Sequence, residues 1–469
     1  MYLESNSPII MWNNISLSEA LSLKCDQAFQ ASSVVIDSRN VKSGCIFIAI
    51  TGEKNDGHDY INQAIASGAS FCIVERDNIV PQTFPHLVVK SSLKALEMMG
   101  SYARNRINGH VIGITGSVGK TTVKEMLRSA FSAHGETYAT HGNLNNHYGM
   151  PLTLANMPPS TEFAIIEMGM SSSGEISLLT KLAKPDIAII TNVELVHAEY
   201  FDGITGIALA KSEIMEGLPK NGTIVLNKDN SQYNILLERA NRLNLKVVTY
   251  GFDSSADFSI EGYKTDLANT LVDVKTPTGD IRYSLKLNGK HMVLNSLAAL
   301  SVVSSLGYDA NASARMLRNF QPVHGRGFIH DLAGHGIIVI DESYNASPAS
   351  TIAALKAAGE RKSDKNRFVF ALGDMKELGD ESLNLHLSLV EHIIDNKVDI
   401  LYTVGKESKN LLEHLQKVAN ISGEAFSDSL GLAEILPSDL RAGDIILIKG
   451  SASMNMRRVL DSVLHKFLV

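Results

Sequence analysis

The sequence predicts an α/β protein of three domains. Length is the first reason: the chain has 469 residues, and domains average roughly 100–200 residues, so about three is the expectation. The second is a recurrence of short, nearly continuous apolar runs, VIGIT, FAIIEM, DIAIIT and TIVLN among them. Such runs suit parallel strands buried on both faces. The third is that helical stretches separate these runs, the alternation expected of helices layered on a parallel sheet.

Composition narrows the function classes. Apolar residues make up 44% and charged residues 20%, an ordinary globular balance with material for several cores. Net charge is −7, from 50 acidic against 43 basic residues, which argues against a large footprint for nucleic acid or anionic membrane. The cysteines Cys25, Cys45 and Cys72 are odd in number and lack paired metal spacing, so a reducing compartment is expected rather than a disulfide framework. The opening MYLESNSPIIMW has no basic region followed by an apolar core, so no signal peptide is read there. No stretch approaches the ~18 apolar residues of a membrane span. The nearest, 293–307, is rich in Ala and Ser and reads as a buried helix. The expectation is a cytoplasmic protein, monomeric because no coiled coil or exposed apolar helix stands out.

In the first domain, residues 1–90, the strand IFIAI (46–50), a helix at 60–67 and the strand FCIVE (71–75) follow one another. The polar turn cluster TGEKNDGHDY lies between the first strand and the helix. A helix at 93–106 leads into the central domain, 91–322, where the four runs above are separated by loops and helices. There LVDVK and IRYSLKL flank the turn TPTGD, which reads as a β-hairpin inserted in the domain. In the third domain, 323–469, the strands IIVID, FVFALG, ILYTVG and IILIKG alternate with helical segments at 351–359 and 385–394. That is a small Rossmann-like sheet. Pro322 and the glycines of HGRG mark the joint.

The strongest chemical signal is GITGSVGKTT, residues 113–122, which follows a strand and opens a helix. In that helix Val123, Met126, Leu127, Ala130 and Phe131 share one face. Gly116 and Gly119 let the backbone curl so that N–H groups, with Ser117, Val118 and Thr122 in the same loop, face a phosphate chain at the helix N-terminus. Lys120 is placed to neutralise terminal phosphates and Thr121 to reach a bound Mg²⁺. Ile114 stands where the full Walker spacing has glycine, so the match is GxxGKT. Glu167 ends the strand FAIIEM, where sites in parallel sheets gather, and reads as a magnesium ligand. Taken singly, His197 and Lys211 read as a loop histidine and a solvated helix lysine.

The combination reads differently. TGSVGKTT, GNLNNHYGMPLTL (142–154), IIEMG, NVELVHAEYF and AKSEI together resemble the Mur ligase superfamily. DESYNASPAS (341–350), LGDMKELG (372–379) and IKGSASM (448–454) resemble the branch that joins D-alanyl-D-alanine to UDP-N-acetylmuramoyl-tripeptide in peptidoglycan precursor synthesis. DSRNVKSGCIFIAITGEKNDGHDY, 37–60, is similar to a uridine-nucleotide-binding domain of this family.

The resemblance implies an ATP-dependent acid–D-amino-acid ligase working through an acyl phosphate. It implies that Lys120 and the loop hold the β- and γ-phosphates, and that Thr121 and Glu167 ligate Mg²⁺, with His197 joining Glu167 at a second metal. Lys211 falls where several family members carry a carbamylated lysine, a CO₂-derived metal ligand. Asn295 matches an adenine contact, Arg326 an arginine that reaches the γ-phosphate, and Asp341 a residue that touches ribose or holds the following loop. Ser38, Arg39, Asp56, Gly57 and His58 fall on the UDP-substrate side, and Asn145 and Asn146 bridge nucleotide and acceptor. Tyr344, Asn345 and Lys449 fall on the dipeptide side. Ser347 stands where the family usually has asparagine, Ala452 where arginine is common, and Val118 is bulkier than the usual loop residue. The alternatives are a sister ligase (the third-residue-adding enzyme or a folylpolyglutamate synthase) and a non-catalytic nucleotide-binding scaffold.

Overall fold

The structure is a computed structural model, and it describes residues 9–195, 198–265, 269–419 and 421–468. Those residues build three principal sheets, of four, nine and six strands. The four-stranded sheet joins Ser33–Val35, Cys45–Ile48, Ala69–Val74 and His86–Val88 in sequence order, all parallel. Its strands are apolar on both faces, and one core lies on each side. A two-residue pairing, Trp12–Asn13 with Gln30–Ala31, sits beside it and was not expected from sequence.

The nine-stranded sheet is the centre of the molecule. Phe163–Glu167, His110–Thr115 and Ile187–Ile190 are consecutive parallel neighbours within it, with His110–Thr115 in the middle. Strand order therefore reverses around His110–Thr115, the topological switch point at which α/β sheets open a crevice beyond their carboxyl ends. The expected hairpin forms from Thr270–Lys275 and Ile281–Leu285. It belongs to the same sheet, joined through Phe258–Thr265, which runs antiparallel to Thr270–Lys275 and parallel to Lys246–Gly251. Helices Lys120–Phe131, Lys290–Ser305 and Ala310–Leu317 bury one face. Helices Glu175–Ala183, Gly203–Ser212 and Tyr233–Arg242 bury the other. The expected buried helix near 293–307 is Lys290–Ser305.

The six-stranded sheet carries Ile337–Glu342, Ile445–Lys449, Phe368–Gly373, Ile400–Val404 and Ser422–Phe426 in parallel, edged by the antiparallel Phe328–Leu332. The expected helix at 385–394 is two short helices, Ser382–Leu387 and Val390–Asp395. The first and central units are fastened directly. The Asn156 side chain accepts from Val34 N at 2.8 Å and donates to Val34 O at 2.9 Å, pairing like a strand neighbour. Trp12 Nε1 donates to Ala155 O at 2.9 Å from a fully buried position. No helix among the described residues is long and apolar enough to cross a membrane.

Candidate active site

Three consecutive strands end at one place. Thr115 leads into the phosphate loop, Glu167 ends its own strand, and Thr191 follows Ile187–Ile190. The loop curls because Gly116 and Gly119 take positive φ, 155° and 84°. At Gly116 a side chain is excluded outright: a Cβ would stand 2.0 Å from Thr191 Oγ1, which donates to Val118 O at 2.6 Å. Gly119 sits at the N-cap of Lys120–Phe131 in the left-handed region, and no side chain caps that helix. The first-turn N–H groups are thus left for an anion. The face read from sequence, Val123, Met126, Leu127, Ala130 and Phe131, is fully buried.

Glu167 is the hub. It is 1% exposed. Its Oε2 accepts from Thr121 Oγ1 at 3.0 Å and its Oε1 from Asn145 Nδ2 at 2.8 Å. Its backbone N–H donates to Thr140 Oγ1 at 2.9 Å. A hydroxyl and a carboxylate brought together beside a phosphate loop are hard oxygen donors of the kind Mg²⁺ takes, so the donor set fits that ion. The two asparagines part company: Asn145 reaches Glu167, whereas Asn146 Oδ1 accepts from Tyr148 N at 3.2 Å and Gly149 N at 2.8 Å and so sets the turn into Gly149–Ala155.

Lys120 bends over its own loop, Nζ donating to Gly116 O at 2.6 Å. Burial pushes its amine below the ordinary lysine range, with the Glu167 carboxylate opposing and the Arg326 charge adding to the shift. Lys211, in the helix Gly203–Ser212, is buried, and its amine is held well below the usual range by burial and then by the Lys120 charge. It is therefore not the solvated lysine that its helix alone suggested. His197 lies outside the described residues. Its loop is anchored at the near end, where Ser117 Oγ donates to Glu194 O at 2.9 Å and accepts from Glu194 N at 3.0 Å. Sequence reading gave Glu194 no part; burial raises the pKa of its carboxyl, partly offset by the Asn192 amide.

Asn295 stands against the loop, since a Cβ on Gly119 would lie 3.0 Å from its Oδ1. Arg326 comes from the turn joining the central unit to the third sheet. Asp341, fully buried, holds that turn: Oδ2 accepts from Gly325 N at 2.6 Å, and Oδ1 from Ser343 N at 3.1 Å and Ser343 Oγ at 2.6 Å. Of the two roles expected for Asp341, holding the loop is the one these bonds perform. His324 and His330 bring ligand atoms within 4.8 Å of Asp341 and of each other. Both Asp341 oxygens are already engaged, and Arg457 Nη1 lies 3.6 Å from one of them.

Of the residues expected on the dipeptide side, Lys449 is buried, donating to Glu342 Oε2 at 3.2 Å and Asn345 O at 3.0 Å. Tyr344 is exposed and lies under Arg326. Ser347 caps Pro348–Gly359 through a reciprocal box with Ser350, an arrangement worth roughly 1 kcal/mol. Ala452 opens the short turn Ala452–Met454. In the first unit, Ser38 Oγ donates to Gln63 Oε1 at 3.0 Å and Arg39 pairs with Asp37 in the open. His58 is buried, its Nδ1 2.6 Å from Asp56 Oδ1 and its Nε2 accepting from Glu75 N at 3.0 Å. Gly57 packs so closely that a Cβ would lie 2.7 Å from Ile50 N. Asp56, Gly57 and His58 therefore brace the turn after Cys45–Ile48.

A phosphate loop at a switch point, a buried carboxylate beside it and an arginine from the turn into the third sheet define a nucleotide-dependent α/β enzyme. Family models match along the chain: "Mur ligase family, catalytic domain" at 30–107, "Mur ligase middle domain" at 114–303 and "Mur ligase, glutamate ligase domain" at 325–452. The chain belongs to the Mur ligase family. Within it, the sequence is 34% identical over 435 residues to UDP-N-acetylmuramoyl-tripeptide–D-alanyl-D-alanine ligase of Escherichia coli K12, covering 92% of this chain and 93% of that one. The Rickettsia prowazekii enzyme of the same name is 33% identical over 453 residues, covering 96% and 99%. Among solved structures, MurF from Acinetobacter baumannii superposes with a TM-score of 0.86 at 29% identity, covering 98% of this chain and 100% of that one. MurF ligase from Thermotoga maritima in complex with ADP gives 0.79 at 28% identity, covering 93% and 98%.

Proposed function

We propose that the chain ligates D-alanyl-D-alanine to UDP-N-acetylmuramoyl-tripeptide at the expense of ATP, giving the pentapeptide, ADP and phosphate. The observation that carries this reading is the Thr121–Glu167 hydrogen bond at 3.0 Å beside a phosphate loop, in a chain alike over nearly its full length to ligases of that name. Residues 1–90 take the UDP-sugar, 91–322 the ATP, and 323–469 the dipeptide. We take the working form to be a cytoplasmic monomer.

The chemistry follows from the charges. A carboxylate resists amines near neutral pH because oxide would have to leave. One oxygen of the tripeptide's terminal carboxylate attacks the γ-phosphorus, the bond to the β-phosphate oxygen breaks, and ADP leaves. The dipeptide amine then attacks the carbonyl carbon, loses a proton, and expels phosphate. Anion–anion repulsion in the first step is the main electrostatic obstacle. Lys120 relieves it by exchanging the Gly116 carbonyl for phosphate oxygens. Arg326 adds a second cation from across the joint, and exclusion of water there would protect the acyl phosphate from hydrolysis. Thr121 and Glu167, with His197 beyond the described residues, would hold Mg²⁺, which supplies charge neutralisation on the phosphates when bound. Lys211 fits a carbamate: a buried amine with a depressed pKa is a neutral nucleophile for CO₂, losing a proton as the anion forms beside Lys120. Among the described residues, no carboxylate is paired with it.

Phosphate release with Mg-ATP and UDP-N-acetylmuramoyl-tripeptide, across a panel of amine acceptors, tests the reading. Release that requires D-alanyl-D-alanine, with a pentapeptide by mass, is expected. Release with another amine would move the activity to a sister ligase, and none with any pair would leave a nucleotide-binding scaffold.

A further inference from the structure

The helix Lys120–Phe131 contains a polar residue that the scheme above leaves without a role. Lys124 is 0% exposed, a position lysine almost never takes unless paired. Its ammonium has three protons to place. Nζ donates to Thr140 O at 2.5 Å and Gly142 O at 3.2 Å. It also lies 3.6 Å from Glu167 Oε2 and 3.4 Å from Glu125 Oε1.

These partners are one assembly. Thr140 and Gly142 begin the segment that runs from Thr137–Ala139 to Gly149–Ala155. The same segment carries Asn145, whose amide donates to Glu167 Oε1 and whose carbonyl accepts from Gly169 N at 2.9 Å. Thr140 Oγ1 in turn accepts the Glu167 N–H. The segment is thus tied to the carboxylate at its far end by Asn145, and at its near end by Lys124. Lys124 lies four residues after Lys120, one turn along the helix face that looks toward the phosphates.

We propose that Lys124 is a positioning residue that acts through Glu167: it fixes the carboxylate and the Asn145 segment relative to the phosphate loop, and so sets the strength of the magnesium–nucleotide site. This rests on the reading of Glu167 as a magnesium ligand. Removing one partner of a buried ion pair destabilises the fold whatever the pair is for, so a loss of stability does not separate the roles; a purely structural lysine would leave the Mg²⁺ requirement unmoved. Partners of metal ligands, by contrast, typically contribute roughly 10–100-fold in metal affinity or activity.

The test measures ADP binding by calorimetry as a function of Mg²⁺ in the full chain, beside thermal unfolding without nucleotide and the kcat of ligation. Lys124→Met is expected to fold with a lowered unfolding temperature, to need about tenfold more Mg²⁺ for half-maximal ADP affinity, and to lose about 30-fold in kcat. Glu167→Gln is the reference and raises the Mg²⁺ requirement by itself. The double variant is expected to match Glu167→Gln, since residues acting as a unit are non-additive. A parent-like Mg²⁺ requirement in Lys124→Met, or additive losses in the double variant, overturns the proposal. A parent-like requirement in Glu167→Gln overturns the underlying reading of the carboxylate, which distinguishes the two failures. Should Lys124→Met not fold, Lys124→Gln is read in the same assay. If neither folds, Lys124 is a folding residue and the proposal is lost.

Discussion

The Arg326 guanidinium lies over the Tyr344 ring, its Cζ 4.1 Å from the centroid. Arg326 belongs to the turn that leaves the central unit, and Tyr344 to the loop after Ile337–Glu342 of the third sheet. The same turn is closed by Tyr344 N donating to Gly325 O at 3.2 Å. One residue expected on the nucleotide side is therefore oriented by one expected on the dipeptide side.

That contact gives a graded prediction. Cation–π pairing contributes about 0.5–1 kcal/mol at exposed sites. Tyr344→Phe keeps the ring and should stay within about twofold of the parent in kcat; Tyr344→Ala should lose about fivefold. Steady-state kinetics at saturating substrates checks it. Equal losses in both variants would assign the effect to the hydroxyl instead of the ring.

Lys211 predicts a pH dependence with a definite sign. Its native pKa is held well below the ordinary lysine value by burial and then by Lys120. Between that depressed value and the unfolded value of about 10.4, the unfolded chain binds more protons, so this group makes stability rise with pH across the window. Lys211→Met removes the slope. In CO₂-depleted buffer the variant should therefore be more stable than the parent at pH 7, by a margin that shrinks towards pH 9, while ligation collapses. Thermal unfolding from pH 7 to 9 decides; parallel curves would contradict it.

Gly119→Ala should abolish tight nucleotide binding. The position has φ 84°, and a Cβ there would press on Asn295 Oδ1 at 3.0 Å. The left-handed backbone alone costs a non-glycine residue roughly 1–2 kcal/mol. Unchanged ADP affinity by calorimetry would remove Asn295 and the loop from contact with the nucleotide.

The cysteines should be silent in the folded protein. Burial raises Cys25 and Cys45 and pushes Cys72 up to about 12, with Cys45 adding to Cys72. The thiolate is the reactive form, so a thiol reagent at pH 8 should label none quickly and all three after denaturation. Rapid labelling of the native chain would contradict their placement.

Much of this was legible in the sequence wherever the signal is local. The phosphate loop could be read because a strand, two glycines, a lysine and an amphipathic helix lie within a few turns of chain. The central strands could be read because burial on both faces leaves an unbroken apolar run. Lys124 could not: in sequence it is one polar residue in an amphipathic helix, and its burial depends on Thr140, Gly142 and Glu167 folding over it. Lys449 and Glu342 are 107 residues apart and meet only because their strands are parallel neighbours in register. Ser422–Phe426 escaped notice because an edge strand with Gly423 and alternating exposure shows no apolar run. Phe258–Thr265 escaped likewise, its second half facing outward. Asp56 and His58 stand in a motif expected on the substrate side, and their contacts with each other, Thr51, Arg76 and the Glu75 backbone come from folding, not from spacing.

The central claim is that the tripeptide carboxylate is activated by phosphoryl transfer at the Lys120–Glu167 site. The most direct test labels both oxygens of that carboxylate with oxygen-18 and weighs the products of one round of ligation. The account predicts one labelled oxygen in inorganic phosphate, the other in the new amide carbonyl, and none in ADP. Unlabelled phosphate, or label carried into AMP, would contradict it.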